Sequence, residues 1–194
     1  MEQNQKEMEE MEKSFEAKLH EQQHKEEEEA KKKAEIEEQK RSGNPQILNL
    51  NEDGMLDRKI FLDLTKNPNA RVGRKAQPPN ENPEITLGGI GIKPEHAKFE
   101  TAGDRTKLVP ASQEACQHIY VNGLKLTSTT PVELKPNDRV IFGTGTVLLY
   151  RCQLRDAEVE LKDDPNNPIT YEYAMKEKHS IEEAVEIANK EAEQ

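Results

Sequence analysis

Residues 70–150 decide the fold: they begin Ala70-Arg71-Val72-Gly73-Arg74 and end Val147-Leu148-Leu149-Tyr150. Between these two stretches, apolar and polar residues alternate over short segments, and turn residues separate one segment from the next. Short alternating segments with intervening turns are typical of the strands of a sheet sandwich. Residues 70–150 therefore predict one small β domain.

Two turns predict hairpins within this domain. Val121-Asn122-Gly123-Leu124 places Asn-Gly between apolar strands, and this pair accepts the positive φ angles of a type I′ turn. Residues 142–147 form a second, glycine-rich turn. Because both turns occur late in the domain, we expect its last strands to form a meander.

Charge is distributed unevenly along the chain. The 194 residues carry a formal net charge of −10 and are 32% hydrophobic, which supports one modest core. Counted by segment, the net charge is −5 for residues 1–41, +2 for residues 42–154 and −7 for residues 155–194. A nucleic-acid-binding protein would carry a net basic patch, so the sequence predicts no nucleic-acid partner.

Cys116 and Cys152 are the only cysteines, and no N-terminal apolar run resembles a signal peptide or a membrane span. This pattern predicts a reducing, cytoplasmic setting without direct membrane contact. Cys116-Gln117-His118 lacks the paired spacing of a zinc site, so we expect neither a metal nor a cofactor. No carboxylate pair or nucleophile with its base is evident, which predicts that the chain is not an enzyme.

The N-terminal flank is predicted to be helical, because residues 1–41 are rich in Glu, Lys and Gln and lack Pro and Gly. Four apolar residues line one face of this helix over about three turns: Met8, Met11, Phe15 and Leu19. That face predicts contact with a partner helix or with the sandwich. Residues 22–41 also fit a solvated single helix.

The composition changes along the chain predict five segments. They are a charged helix or coiled-coil segment (1–41), a linker with a short strand (42–59), the β-sandwich (60–153), a second linker (154–168) and a C-terminal helix (169–194). Within the last segment, Ser180 and Glu183 have the spacing of a capping box, which predicts a helix start there.

Three short motifs resemble the signatures of the forkhead-associated (FHA) domain: Gly73-Arg74, then His96, then Val121-Asn122-Gly123. The resemblance implies an FHA-like antiparallel β-sandwich, flanked here by N-terminal and C-terminal charged helices. It also implies that loops at one end of the sandwich are presented to phosphothreonine peptides.

The resemblance extends beyond the FHA domain to one particular class of proteins that contain it. Residues 44–53, 92–99 and 139–143 are similar to the corresponding parts of the kinesin-three class of transport motors. Altogether the likeness covers residues 46–151. In addition, residues 171–177 resemble the start of the next helix in that class, which implies that residues 169–194 begin a further coiled coil. In that class the coiled coil and the FHA domain act together in dimerisation and in relief of autoinhibition.

The resemblance implies a set of phosphate-binding candidates. A phosphothreonine needs an arginine fork with further hydroxyl, amide or backbone donors. Arg74 stands at the arginine of the family motif, but Lys93 replaces the usual serine and Pro94 replaces the basic residue that commonly follows. The candidates for binding a phosphopeptide are Arg74, Lys75, Lys93, Gln117 and Asn122.

Three further residues are expected to support the loops. Gly73 is predicted to lie where two backbones approach too closely for a side chain. His96 is expected to be a buried brace that holds its loop by a ring hydrogen bond. Gly123 is expected to form the turn.

The resemblance therefore implies a regulatory, non-catalytic protein-interaction fragment of a cytoskeleton-associated motor. It would self-associate through its helices and bind a phosphothreonine peptide or a cargo adaptor. The residues expected at helix or partner interfaces are Met8, Met11, Phe15, Leu19, Ile47, Leu48 and Leu50. Two alternatives stay open: a phosphopeptide reader in a signalling or scaffold protein unrelated to motors, and a structural filament component.

Overall fold

The structure, a computed structural model, describes residues 2–192. The chain divides into two compact units, Met1–Ser42 and Gly43–Gln194. Residue 1 and residues 193–194, which the predicted terminal helices include, lie outside the described residues. In the described part, no helix combines the length and the apolar character that crossing a membrane requires.

The first unit is a single long helix, α1 (Glu2–Arg41), as its composition predicts. Side chains one turn apart pair along it, for example Lys25 with Glu21 at 2.8 Å. Its apolar stripe is exposed, with exposed fractions of 65% for Met8, 71% for Met11, 70% for Phe15 and 48% for Leu19.

The second unit is a sandwich of two sheets. Its strands are β1 (Gln46–Leu50), β2 (Phe61–Asp63), β3 (Asn69–Gly73), β4 (Ile85–Thr86), β5 (Ala97–Ala102), β6 (Arg105–Pro110), β7 (Ile119–Val121), β8 (Leu124–Lys125), β9 (Val132–Leu134), β10 (Arg139–Phe142) and β11 (Thr146–Arg151). Its helices are α2 (Gln113–Cys116), a 3-10 segment (Gln153–Glu158) and α3 (Tyr171–Ala192). The predicted mainly β sandwich with a helix towards each end of the chain is confirmed.

The first sheet has the strand order β2-β1-β11-β10-β7-β8, and the second has the order β4-β3-β5-β6-β9. The pairs are antiparallel except for β3 with β4, which is parallel. The predicted meander of the last strands is wrong. β9 leaves the first sheet to pair with β6, and β10 then returns to lie beside β7.

Both predicted hairpins form. Asn122 and Gly123 have φ angles of 51° and 80°, as a type I′ turn requires, and they join β7 to β8. Gly143, with a φ angle of 62°, turns the chain from β10 into β11.

One core fills the space between the two sheets, and it comes from the period-2 alternation of the strands. On β5, for example, Phe99 points inward and is fully buried, whereas Lys98 is exposed. Phe99 meets Phe142 of the first sheet edge to face, with their ring centroids 6.5 Å apart. This contact joins the two layers at the centre of the sandwich.

The first sheet is apolar on its outer face too, and α3 covers that face. On β11, Leu148 and Tyr150 belong to the core between the sheets, whereas Val147 and Leu149 pack on the other side. Continuous apolar runs are expected where both faces of a sheet are covered. The residues of this second cluster are Leu48, Leu50, Tyr120, Ile141, Val147, Leu149, Ile169 and Ala174.

The segment expected as a linker strand is an integral part of the first sheet. β1 pairs with β11 on one side and with β2 on the other. Ile47 is buried in the core between the sheets, and Leu48 and Leu50 are buried in the cluster that contains the start of α3. In this structure the three side chains contact their own unit and are not available to an external partner.

α3 begins at Tyr171, within the predicted C-terminal helix segment, and not at the predicted capping box of Ser180 and Glu183. The hydroxyl of Thr170 accepts a hydrogen bond from the N–H of Tyr173 at 3.1 Å and so caps the first turn. Ser180, predicted as the cap, lies inside the helix. Burial of Ile169 and Ala174 against the first sheet explains why the helix starts there.

Candidate functional site

Four loops meet at one end of the sandwich: residues 73–75, 88–96, 111–118 and 143–145. We refer to them as the loop cluster. Arg74 N–H donates to the carbonyl of Lys93 at 3.0 Å, and Gly143 N–H donates to the carbonyl of His118 at 2.8 Å. These main-chain bonds hold loops from both sheets side by side, although they are far apart in sequence.

Gly73 makes this convergence possible. A β carbon at this position would lie 1.9 Å from the carbonyl oxygen of Pro94, far inside van der Waals contact. Gly73 also accepts a hydrogen bond from Leu87 N–H at 2.7 Å. Only a residue without a side chain lets the end of β3 lie against the Lys93-Pro94 backbone.

His96 is fully buried and is bonded through both its backbone and its ring. Its N–H donates to Val72 at 2.9 Å, and its carbonyl accepts from Ala111 N–H at 3.0 Å. Ring Nδ1 accepts a hydrogen bond from Lys93 N–H at 3.1 Å, which requires that nitrogen to be unprotonated. Burial lowers the pKa of His96, which favours this neutral ring. His96 thus fixes the backbone on which Lys93 is carried.

Arg74 lies beside Lys93 at the surface of the loop cluster. Its Nε donates to the carbonyl oxygen of Ile92 at 3.0 Å, and Nη2 donates to the same oxygen. These contacts aim the exposed guanidinium along the 88–96 loop. A guanidinium has five N–H donors, so this contact leaves donors for an anion.

Lys93 is paired within the chain. Its ammonium forms a hydrogen-bonded ion pair with the carboxylate of Glu114, the second residue of α2. The hydrogen bond and the charge of Lys93 lower the pKa of Glu114, so Glu114 is ionised at neutral pH. The cationic surface of the loop cluster therefore contains a carboxylate as well.

Lys75 and Gln117 are exposed and belong to the same loops. Lys75 follows Arg74 directly, and Gln117 follows α2. The structure thus brings four of the five predicted phosphate-binding residues to one end of the sandwich.

Asn122 does not belong with these residues. Its Nδ2 donates to Asp138 at 2.9 Å, and its Oδ1 accepts from Arg139 N–H at 2.9 Å. Arg139 begins β10, whereas Gly143 of the loop cluster follows its end, so Asn122 lies a strand length away, roughly 10 Å at 3.3 Å per residue. The assignment of Asn122 to the phosphate site is corrected: it braces the turns at the opposite end.

Gly123, in the same turn, lies against α3. A β carbon there would meet the Cδ1 of Ile181 at 2.8 Å and the backbone carbonyl of Glu177 at 3.0 Å. The Asn-Gly turn therefore supports α3 rather than the loop cluster.

Glu114 and the Ile92 carbonyl were missed by sequence reasoning. Glu114 is 21 residues from Lys93, and no motif links the two. A metal-binding group was not predicted, and the described side chains contain no cluster of three or more His, Cys, Asp or Glu residues that could hold an ion.

Comparison with known families identifies the domain. Residues 70–143 match the family model of the FHA domain, so the chain contains an FHA domain, as its three motifs predict. FHA domains are non-catalytic protein-interaction modules that bind phosphothreonine peptides of partner proteins.

The relatives are kinesin-like proteins. The chain is 27% identical over 139 residues to kinesin-like protein KIF1B of Rattus norvegicus, covering 69% of this chain and 7% of that protein. It is 33% identical over 106 residues to kinesin-like protein KIF28 of Mus musculus, covering 55% of this chain and 9% of that protein. The matched region thus spans less than a tenth of these relatives. The predicted resemblance to kinesins is confirmed, at modest identity.

Among solved structures, the chain is similar to the crystal structure of the MEK1 FHA domain. The TM-score is 0.46 at 17% identity, and the match covers 61% of this chain and 98% of that one.

Proposed function

We propose that this chain is a regulatory protein-interaction segment of a kinesin-like motor, and that its FHA domain binds a phosphothreonine-containing partner at the loop cluster. One observation carries the proposal: Arg74 and Lys93 are held side by side by the hydrogen bond from Arg74 N–H to Lys93 O. The partner would be a phosphorylated adaptor or a phosphorylated segment of the motor itself. The parent motor would place the segment on the cytoskeleton.

The chemistry of the loop cluster supports this ligand. A phosphothreonine carries close to two negative charges and three strong acceptor oxygens, and a planar guanidinium beside an ammonium matches that charge. Arg74 and Lys93 present these groups on backbones that Gly73 and His96 hold rigidly. The lysine at the position of the family's serine supplies a charge where a hydroxyl is usual.

The test is peptide binding by the full chain. We expect the wild type to bind a degenerate phosphothreonine peptide pool, measured by fluorescence anisotropy, and not to bind the unphosphorylated pool. Arg74→Ala should weaken binding by about tenfold or more, because it removes charge-assisted hydrogen bonds to the phosphate. The matched control is Arg105→Ala, which removes an equal charge from β6, where Arg105 forms an exposed ion pair with Glu133 of β9. If both variants bind equally well, the loop cluster is not the phosphate site.

A second activity, self-association through helices, is favoured by a different observation. The apolar stripe of α1 is exposed, and an exposed apolar stripe on a helix is suited to pairing with another helix. We propose that α1 contributes to dimerisation of the parent motor, and that partner binding at the FHA domain relieves its autoinhibition.

A further inference from the structure

The ion pair between Lys93 and Glu114 lies at the surface of the loop cluster. The Lys93 side chain is 32% exposed and the Glu114 side chain is 69% exposed, so solvent and a ligand can reach both. Because Arg74 N–H donates to the carbonyl of Lys93, the pair belongs to the surface at which the proposed function places the phosphate.

Both partners of this pair are carried on fixed backbones. Lys93 is held from two sides, since its carbonyl accepts from Arg74 N–H and its own N–H donates to His96. Glu114 is part of α2, where Ser112 Oγ accepts from Ala115 N–H at 3.1 Å. The neighbouring Gln113 is tied down as well, because its Nε2 donates to the carbonyl of Thr127 at 2.7 Å. The carboxylate is therefore presented to Lys93 by α2 and the loops that hold it.

We propose that Glu114 is a built-in competitor of the phosphate: its carboxylate occupies Lys93 in the free protein and must be displaced when a phosphothreonine binds. This inference rests on the proposed function of the loop cluster. Glu114 then sets the affinity and selectivity of the site. A ligand with close to two charges outcompetes a resident carboxylate with one, whereas a singly charged ligand gains no electrostatic advantage over it.

The expected gain in phosphopeptide affinity is limited, because the Lys93–Glu114 ion pair is exposed to solvent. A surface ion pair is weak and is screened by salt, so its displacement costs little, and the site is attenuated rather than blocked. Removing the carboxylate should also remove its repulsion of the incoming phosphate. Together these two contributions predict an increase in phosphopeptide affinity of about three- to tenfold.

The test substitutions are Glu114→Gln and, as a matched control, Glu95→Gln. Glu95 is exposed and lies in the same loop as Lys93, so its substitution changes the net charge of the loop cluster equally without releasing Lys93. We expect Glu114→Gln to bind the phosphothreonine pool about three- to tenfold more tightly than the wild type. Glu95→Gln should change the affinity for this pool by no more than about twofold, because the ion pair of Lys93 is formed with Glu114 and not with Glu95.

A double-mutant cycle separates competition from a structural effect. In a Lys93→Ala background, Glu114→Gln should tighten binding by no more than about twofold, because the carboxylate then has no lysine to occupy and only its screened repulsion of the phosphate is removed. Thermal unfolding of each variant confirms that the fold is intact. A tightening that falls to about twofold or less without Lys93 supports the inference, as does binding by Glu114→Gln when the wild type binds too weakly to measure. An undiminished tightening without Lys93 overturns it.

The inference and the proposed function fail in different ways. If the wild type binds, Arg74→Ala does not, and Glu114→Gln binds no more tightly than Glu95→Gln, then Glu114 is not a competitor, although the phosphate site stands. A loss of affinity in Glu114→Gln overturns the inference as well, since Glu114 would then assist the peptide. If no variant binds the phosphorylated pool, the phosphate site and the competitor fall together.

Discussion

The contact between Gly73 and Pro94 sets the geometry of the loop cluster at the scale of a single residue. The hypothetical β carbon of residue 73 meets a backbone carbonyl and not a mobile side chain. Accommodating it would require β3 and the 88–96 loop to separate. That separation would stretch the hydrogen bond from Arg74 N–H to Lys93 O, on which the placement of both cationic residues depends.

We therefore expect Gly73→Ala to lower the free energy of unfolding by about 2 kcal/mol or more, as overpacking at a rigid position does. Urea denaturation of the full chain measures this change. Gly88→Ala is the matched control, because a β carbon at Gly88 has no neighbour within 4 Å. Equal losses in the two variants would show that the close approach does not matter for stability.

The sequence predicts the individual residues of the site better than their partners. Gly73, Arg74 and His96 are recognisable because their spacing resembles a family pattern. The partner of Lys93 is not predictable in this way, because Glu114 reaches it only after α2 and the 88–96 loop are brought together by tertiary folding. Asn122 was misplaced for a related reason: the length of β7 separates it from the other candidates.

At the scale of elements, a largely buried ion pair joins α3 to the first sheet. It is formed by Arg139 of β10 and Glu177 in the second turn of α3. Arg139 donates from Nε and Nη2 to the two carboxylate oxygens of Glu177, at 3.0 Å and 2.8 Å. Its Nη1 donates to the carbonyl of Asn137 at 2.7 Å.

A second polar contact joins α3 to the first sheet. The ammonium of Lys178 lies 4.4 Å from the ring centroid of Tyr120, a cation–π contact. Burial, followed by interaction with Glu182, raises the pKa of Tyr120 to about 12.

Removing the carboxylate of Glu177 should leave Arg139 buried without its partner, and such losses are costly. The Arg139 side chain is 7% exposed and that of Glu177 is 19% exposed. We expect Glu177→Ala to lower the free energy of unfolding by about 2 to 3 kcal/mol, and to reduce the hydrogen-exchange protection of α3 more than that of the sandwich.

Glu183→Ala is the control for this change, because Glu183 is an exposed residue of the same helix. It should alter stability by no more than about 0.5 kcal/mol. If α3 keeps full protection in Glu177→Ala, the helix is held by its apolar contacts alone.

The elements themselves were largely predictable. Alternation and turn residues identify β5, β6, the Asn-Gly hairpin and β11, because these signals are local. The crossing of β9 to the second sheet and the insertion of β1 between β2 and β11 depend on pairing between distant segments, which local patterns do not specify.

At the scale of the whole molecule, the exposed stripe of α1 leads to a prediction about mass in solution. We expect the full chain to show a concentration-dependent increase towards twice its monomer mass in light scattering. The double substitution Met11→Ser with Phe15→Ser should shift the chain to monomer, because it removes two apolar side chains that are 71% and 70% exposed.

Lys13→Ser is the control, since it lies away from the stripe on the same helix. A wild type that stays monomeric at the highest soluble concentration would contradict dimerisation through α1. So would equal dimer fractions in the double variant and in Lys13→Ser.

The cover that α3 provides for the first sheet has a consequence for where this module can be divided. The family match ends at Gly143, yet β11 is the strand that joins β1 to β10, and α3 shields Leu149 and Ile141 from water. A fragment limited to the matched residues would lack β11. Both faces of its first sheet would then expose apolar side chains, and the edge of β10 would be unpaired. A recombination event that transfers this module to another protein would therefore have to transfer the whole segment from β1 to α3.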